Sequence, residues 1–144
     1  MIDQADPAEW SMVTARKPET GQVAVFRVRF AKPARPDLPS LVWAIVIEWP
    51  YDGDQMPPAE VNAAQQRFEQ AADPLASSTH SELVHVSTGM GMKEWIFYAR
   101  TREQFMKELN ELLSGHPRYP LDIEFLEDPA WQVWEDAVKD LRRR

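Results

Sequence analysis

Apolar and polar residues alternate with a period of two in the first part of the chain, which is the pattern of half-buried β-strands. Residues 22–30 carry apolar side chains at every second position on one side and end with Arg27 and Arg29 on the other. Residues 10–16 show a similar alternation, and residues 18–21, which include a proline and a glycine, suit a turn. The pattern therefore predicts a β-hairpin at the start of the chain.

Residues 41–49 contain the longest apolar segment, in which both sides of a strand would be apolar. A strand with this composition is typically buried on both faces, so we expect it in the interior of a sheet. Its larger side chains, including Leu41, Trp43 and Trp49, fall on one side, which we expect to lie under helices. The other side carries Glu48 and is expected to stay open.

Steps of three and four residues between apolar side chains predict helices further along the chain, and short alternating segments predict more strands. The first predicted helix begins at Pro58 and ends or bends at Asp73-Pro74. Two strands follow, over 82–88 and 93–100, with a glycine-containing turn at 89–92, and then a helix from Thr101 to Gly115. An edge-like strand over 121–126 and a last helix, which Asp128 caps and Pro129 begins, complete the chain order. Residues 32–40 hold three prolines and are predicted to form a loop.

The order of elements from residue 41 onward predicts the fold class. Strand, helix, strand, strand, helix, strand is the split βαβ pattern of ferredoxin-like α+β sandwiches. The first hairpin would enlarge the sheet, and the C-terminal helix would cover an edge or an end. A chain of 144 residues fits one domain, so we expect residues 1–144 to form a single α+β domain.

Charge and composition narrow the classes of function. The chain has 16 basic and 23 acidic residues, for a net charge of −7, which argues against nucleic acid as a partner. With no cysteine, it has no thiol nucleophile and no thiolate metal site. The sequence shows neither a secretory signal nor an apolar segment of the about 20 residues that a membrane helix needs. We therefore expect a cytoplasmic protein without membrane contact, metal or other cofactor.

Several segments together resemble one bacterial family. They are the early Trp10, the aromatic end of the long apolar strand at Trp49 and Tyr51, the hairpin sequence over 87–98, and Asp-Pro-Ala-Trp at 128–131. They are similar to the domain-of-unknown-function family number 695, and the resemblance extends from about Trp10 to Trp134. It implies an α+β fold and supplies no catalytic residue. Some members carry a neighbouring domain similar to the B-type regulator of ribonuclease E, which implies a regulatory role through protein–protein contact.

Other candidate chemistry has a simpler structural interpretation. His80, Glu82 and His85 contain the His-x-Glu of zinc deaminases, but the later Pro-Cys-x-x-Cys is missing. The Gly89-x-Gly91 segment lies between two strands, so we interpret it as a turn, with an anion-binding nest as the alternative. Serines and threonines near His80 lack the Gly-x-Ser-x-Gly elbow of hydrolases. The sequence thus favours a protein that is not an enzyme.

The side of the sheet that carries Glu48 is the leading candidate for a binding surface. The residues expected to share it are Arg27 or Arg29, His85, Glu94, Tyr98, Arg100, and Asp122 or Glu124. Such a surface is either a solvated face with weak ion pairs or a docking face for a protein partner or a second copy. The main hypothesis is a non-catalytic domain that acts by protein binding or self-association. The alternative is a small-molecule or enzymatic pocket that uses Arg100, Glu94 and Tyr98.

Overall fold

A computed structural model of the protein describes residues 9–142, which form six strands and three α-helices. The strands are β1 (Trp10–Arg16), β2 (Val23–Arg29), β3 (Trp43–Pro50), β4 (Ser81–Gly89), β5 (Met92–Ala99) and β6 (Asp122–Glu127). The helices are α1 (Ala59–Ala76), α2 (Arg102–Leu112) and α3 (Gln132–Arg142), and a short 3-10 helix, Leu38–Ser40, lies in the proline-rich loop. Within the described residues, no helix combines the length and the hydropathy that crossing a membrane requires.

The strands form one sheet in the order β1-β2-β4-β5-β3-β6, and every neighbouring pair is antiparallel. As predicted, β3 lies in the interior, between β5 and β6, and the first hairpin extends the sheet beyond β4. Helix α1 connects β3 to β4, and α2 connects β5 to β6. The protein is therefore a mixed α+β fold built on a six-stranded antiparallel sheet.

The turn between β4 and β5 consists of Met90 and Gly91, because Gly89 pairs with Met92 across it. Both turn residues have positive φ angles, 55° and 82°. Two-residue hairpins prefer such turns, since their twist matches that of the strands they join, and glycine adopts the angles without steric cost. The prediction of a turn here is confirmed.

One side of the sheet packs against α1 and α2. Ile45, Ile47 and Trp49 of β3 point to this side and are buried together with Phe68 of α1 and Phe105 of α2. These residues alternate along β3 with smaller or polar ones, as expected for a period of two. The larger side of the strand is thus covered by helices, as predicted.

The other side of the sheet is covered in part by α3, so it is not the open surface that we expected. Trp131, Trp134 and Val138 form a second buried cluster there with Ala44 and Tyr98. Leu41 also belongs to this cluster and not to the first, because it precedes the start of β3 and the alternation of the strand does not extend to it.

Asp128 fixes the start of α3. Its two carboxylate oxygens accept the backbone N–H groups of Gln132 and Val133, both at 2.9 Å. Burial alone would raise the pKa of Asp128, but these N–H groups and the Tyr98 hydroxyl lower it below its usual value. The predicted cap is therefore present, although the helix begins at Gln132 and not at Pro129.

Helix α1 continues through Pro74 to Ala76, so of the two outcomes expected at Asp73-Pro74, an end or a bend, the end does not occur. Proline removes one N–H donor and its ring crowds the carbonyl four residues earlier, but only two residues of the helix follow Pro74. The Ser81 hydroxyl at the start of β4 donates to the carbonyl of Leu75 at 2.7 Å. This contact supplies a partner for the end of the helix.

We expect Tyr98→Phe to destabilise the protein by about 1–3 kcal/mol. The buried Tyr98 hydroxyl donates to Asp128 Oδ2 at 2.7 Å and accepts the backbone N–H of Trp134 at 3.1 Å, and both partners would lose it. Urea unfolding measures the loss. The control is Tyr51→Phe, which removes a hydroxyl bonded to the carbonyl of Gln55 at an exposed site. Equal losses in the two variants would contradict this account.

Candidate functional site

The first two strands extend beyond the helices on the side of the sheet that α1 and α2 cover. A helix occupies about 10 Å of width and a strand about 4.8 Å, so two helices cover about four strands. Here the buried cluster under the two helices draws its strand residues from β3, β4 and β5, with β6 packed at its margin. A groove remains between α1 and the α1-facing side of β1 and β2, and this groove is the candidate site.

One half of the groove, the aromatic cavity, has a volume of about 260 Å³. Its walls are mostly apolar and include four aromatic rings. The lining residues are Trp10, Phe68, Ala72, Ala76, Leu83, Trp95 and Phe97, with the charged Arg27, Glu69 and Asp73. Phe68 and Trp95 meet edge to face with their ring centroids 4.8 Å apart, which is a favourable geometry for aromatic pairs.

The other half, the polar cavity, has a volume of about 350 Å³. It combines apolar side chains with amides, a hydroxyl and charges. The lining residues are Met12, Val25, Met56 and Val86, with the polar Arg27, Asn62, Gln66, Glu69, Thr88 and Lys93. Met12 and Met56 are 67% and 43% exposed, so the cavity opens beside apolar surface.

An ion pair forms the boundary between the two cavities, since Arg27 and Glu69 line both. Arg27 Nη2 lies 2.5 Å from Glu69 Oε1, and the same oxygen accepts the indole N–H of Trp95 at 2.9 Å. The side chains of Arg27 and Glu69 are 38% and 31% exposed. The pair is therefore partly buried and still reachable by a molecule in the groove.

Local structure explains why these residues meet. Arg27 of β2 lies opposite Met12 of β1 and Val86 of β4, and Val86 lies opposite Trp95 of β5, so all four side chains share one side of the sheet. On α1 the groove is lined by residues at steps of three and four, which is one flank of a helix. These are Asn62, Gln66, Glu69, Asp73 and Ala76.

Lys93 adds a second cation to the polar cavity. Its Nζ donates to Thr88 Oγ1 at 2.8 Å and lies 5.6 Å from the ring centroid of Trp95. Burial lowers the pKa of Lys93, with Glu69 opposing the shift and Arg27 adding to it. The charged groups of this cavity are thus two cations and one carboxylate.

Arg27 and Arg29 do not share a side with Glu48, contrary to our expectation. Glu48 lies opposite Glu94, and Glu94 lies opposite Ser87 of β4, whereas Arg27 lies opposite Val86. Neighbours along a strand point to opposite faces, so Arg27 and Glu48 are on different sides. Arg29 donates to the carbonyl of Leu83, pairs with Glu82, and lies 4.8 Å from the ring centroid of Trp10.

The structure brings three of the residues expected on this surface together on the α3 side, and two of them, Glu48 and Glu94, lie directly opposite each other. Asp122 of β6 flanks Glu48 on its other edge. Burial, together with the neighbouring Glu48, raises the pKa of Glu94 to about 7. Three carboxyl groups therefore lie in a row across β5, β3 and β6.

The other predicted site residues are separated from this row. Tyr98 is buried under α3, and its ring stacks on that of Trp131 with the two ring centroids 3.9 Å apart. Arg100 lies just after β5, where it pairs with Asp37. His85 is 3% exposed and packs edge-on against Phe26, and burial lowers its pKa to about 4.

The histidines and the glutamate of the His-x-Glu segment, for which we preferred a structural interpretation, have separate partners. His80 Nε2 lies 2.6 Å from Glu108 of α2, while Glu82 pairs with Arg29 and Arg35. Among the described residues, no group of three or more His, Asp or Glu side chains is placed to hold a metal ion.

Sequence reasoning missed the partners of Arg27. Glu69 follows a buried phenylalanine in an amphipathic helix, where an acidic residue is ordinary, and Lys93 is the second residue of β5. Arg27 and Arg29 lie on the same side of the strand as apolar residues, and this mixture was a signal that the side is partly covered by other parts of the protein. The sequence contains no signal that pairs Arg27 with Glu69, which is 42 positions away.

We expect stability to fall as the pH rises from about 4.5 to about 7, because in this range the folded protein holds a proton on Glu94 that the unfolded chain has lost. Glu94→Gln removes this contribution. The variant should be more stable than the native protein at pH 8 by on the order of 1 kcal/mol, with no such gain below pH 4.5. Urea unfolding across this pH range measures it, with the exposed Glu111→Gln as control. A gain that is independent of pH would refute the assignment.

Comparison with known proteins places the chain in a family. No curated protein and no solved structure matches the chain. A family model described as "Family of unknown function (DUF695)" matches residues 8–137. Because this match covers most of the 144 residues, the chain belongs to the DUF695 family.

Proposed function

We propose that this protein is a single-domain binding protein without catalytic activity, and that the groove between α1 and the first two strands holds a small amphipathic molecule. The observation that carries the proposal is the adjoining pair of cavities, one aromatic and one polar, that share Arg27 and Glu69. Binding sites for small molecules are typically concave and mostly apolar, with a few polar groups that orient the ligand. The groove has these features.

The hydrogen bonds inside the groove support binding rather than catalysis. A hydroxyl nucleophile needs a free base to take its proton. Thr88 is hydrogen-bonded to Lys93, and Glu69 is engaged by Arg27 and Trp95. The groups that would act as acid or base are therefore occupied with one another, while the Trp10 ring, which is 41% exposed, remains available for a ligand.

The finer description of the fold belongs to the same proposal. From β3 onward the strand order is β4-β5-β3-β6, and α1 and α2 make the two helical connections. We interpret this part as the ferredoxin-like split βαβ arrangement. The first hairpin is then an addition at one edge, and it is the addition that forms the groove.

The remaining expectations stay predictions within this proposal. The net charge of −7 favours a partner other than nucleic acid, and the protein is expected to act in the cytoplasm without a cofactor. A protein partner or a second copy on the Glu48 side is the competing function. Helix α3 occupies part of that side, which weakens the case for a broad docking face.

The test uses anilinonaphthalene sulfonate, an amphipathic fluorescent probe with an aromatic body and an acidic group. We expect Trp10→Ala and Met12→Ala each to weaken its binding by about fivefold to tenfold, since each removes a wall of the groove. Titrations followed by probe fluorescence give the dissociation constants. Near-UV circular dichroism checks that each variant is folded.

The matched control is Leu126→Ala, an exposed apolar side chain at the opposite edge of the sheet. Its dissociation constant should equal that of the native protein. If Leu126→Ala weakens the probe as much as the groove variants do, or if no variant changes it, the proposed site is wrong. Dimerisation that masks the groove would also count against it, and sedimentation at the titration concentration detects this.

A further inference from the structure

We propose that the ligand of the groove is a hydrophobic monocarboxylate, an aromatic acid whose ring enters the aromatic cavity and whose carboxylate binds Arg27. This inference rests on the proposed function, because it names the class of molecule that the same groove selects. In this proposal the aromatic cavity binds the ring, the polar side of the boundary binds the carboxylate, and Glu69 modulates the affinity.

The aromatic cavity defines the body of the ligand. Phe68, Trp95 and Phe97 form its buried floor, and the Trp10 ring, which is 41% exposed, forms its accessible wall on β1. Aromatic rings pack well in offset or edge-to-face geometry, so a planar ring stacked on Trp10 is the group that this cavity suits best. A volume of about 260 Å³ is slightly below the usual range of small-molecule sites, which indicates one or two rings rather than a long chain.

Arg27 defines the polar group of the ligand. A guanidinium has five N–H donors in a planar fork that matches a carboxylate. Arg27 contacts Glu69 through Nη2 and remains 38% exposed at the boundary of the two cavities. A carboxylate attached to a ring in the aromatic cavity by a short spacer would lie at this boundary.

The charged residues that line each cavity indicate on which side of the boundary the carboxylate of the ligand lies. The charged groups of the polar cavity are Arg27, Lys93 and Glu69, and two cations minus one carboxylate leave an excess of one positive charge. The charged groups of the aromatic cavity are Arg27, Glu69 and Asp73, which leave an excess of one negative charge. An anionic group is therefore favoured on the polar side of the boundary and disfavoured deep among the rings.

Glu69 sets the affinity, because it already occupies the cation that the ligand needs. Its Oε1 accepts hydrogen bonds from both Arg27 and the Trp95 indole, which hold the carboxylate in place. The carboxylate of the ligand must compete with it for the guanidinium. Loss of the Glu69 charge should consequently strengthen the binding of acids and leave neutral ligands unaffected.

The experiment compares naphthaleneacetate with naphthaleneacetamide, which share the ring and differ in charge. Isothermal titration calorimetry at pH 7 should give about tenfold tighter binding of the acid to the native protein. Arg27→Gln should reduce the acid to the affinity of the amide. Glu69→Gln should raise the affinity for the acid by about threefold to tenfold without changing that for the amide. A misfolded variant would not produce such a gain.

The matched control is Arg16→Gln, which removes a cation from the exposed end of the same hairpin. It should leave both affinities unchanged. Equal binding of acid and amide, or an equal loss in Arg16→Gln and Arg27→Gln, overturns the ligand class. If neither probe binds while anilinonaphthalene sulfonate still responds to Trp10→Ala, the ligand class alone is wrong. If that response is also missing, the proposed function fails with it.

Discussion

The sheet of this protein is wider than the pair of helices on one of its sides, and this mismatch creates the groove. Six strands at about 4.8 Å each exceed the width that two helices of about 10 Å cover. Because β1 and β2 are added next to β4, the uncovered width falls beside α1 and not beside α2. Apolar side chains of the hairpin, among them Trp10 and Met12, therefore stay accessible, while Trp49 in β3 is buried under the helices.

Charged side chains are accommodated by different interactions on the two sides of the sheet. On the α1 side, Glu69 and Arg27 neutralise each other and Trp95 donates to the same carboxylate, so charge is kept in a largely apolar groove by pairing. On the α3 side, Glu94 and Glu48 lie opposite each other, and the repulsion is reduced because burial favours a protonated Glu94. Pairing keeps Arg27 and Glu69 charged inside the groove, whereas protonation of Glu94 only reduces the repulsion between two neighbouring carboxyl groups. This contrast is a reason to place the function on the α1 side.

The alternation along each strand could be predicted, but the matching of sides between strands could not. We expected Arg27 or Arg29 on the side of Glu48, although the pattern within each strand does not show which sides of different strands coincide. The true relation follows from the pairing register, in which Arg27 lies opposite Val86 while Glu94, the partner of Glu48, lies opposite Ser87. This register joins strands that are far apart in the chain, and the alternation within a single strand does not reveal it. The predicted pocket of Glu94, Tyr98 and Arg100 does not form for a different reason, because helix α3 covers Tyr98.

The sequence by itself determined the elements: the buried strand β3, the hairpins with their turns, and the capping of α3 by Asp128, because each depends on residues close together in the chain. Only the tertiary structure decided that α3 covers the face opposite α1, and that Arg27 meets Glu69 and Lys93 in a groove. These contacts join segments far apart in the chain, so they depend on strand order and register. A local pattern and a tight turn can set the register within one hairpin, but they do not show which distant strands become neighbours.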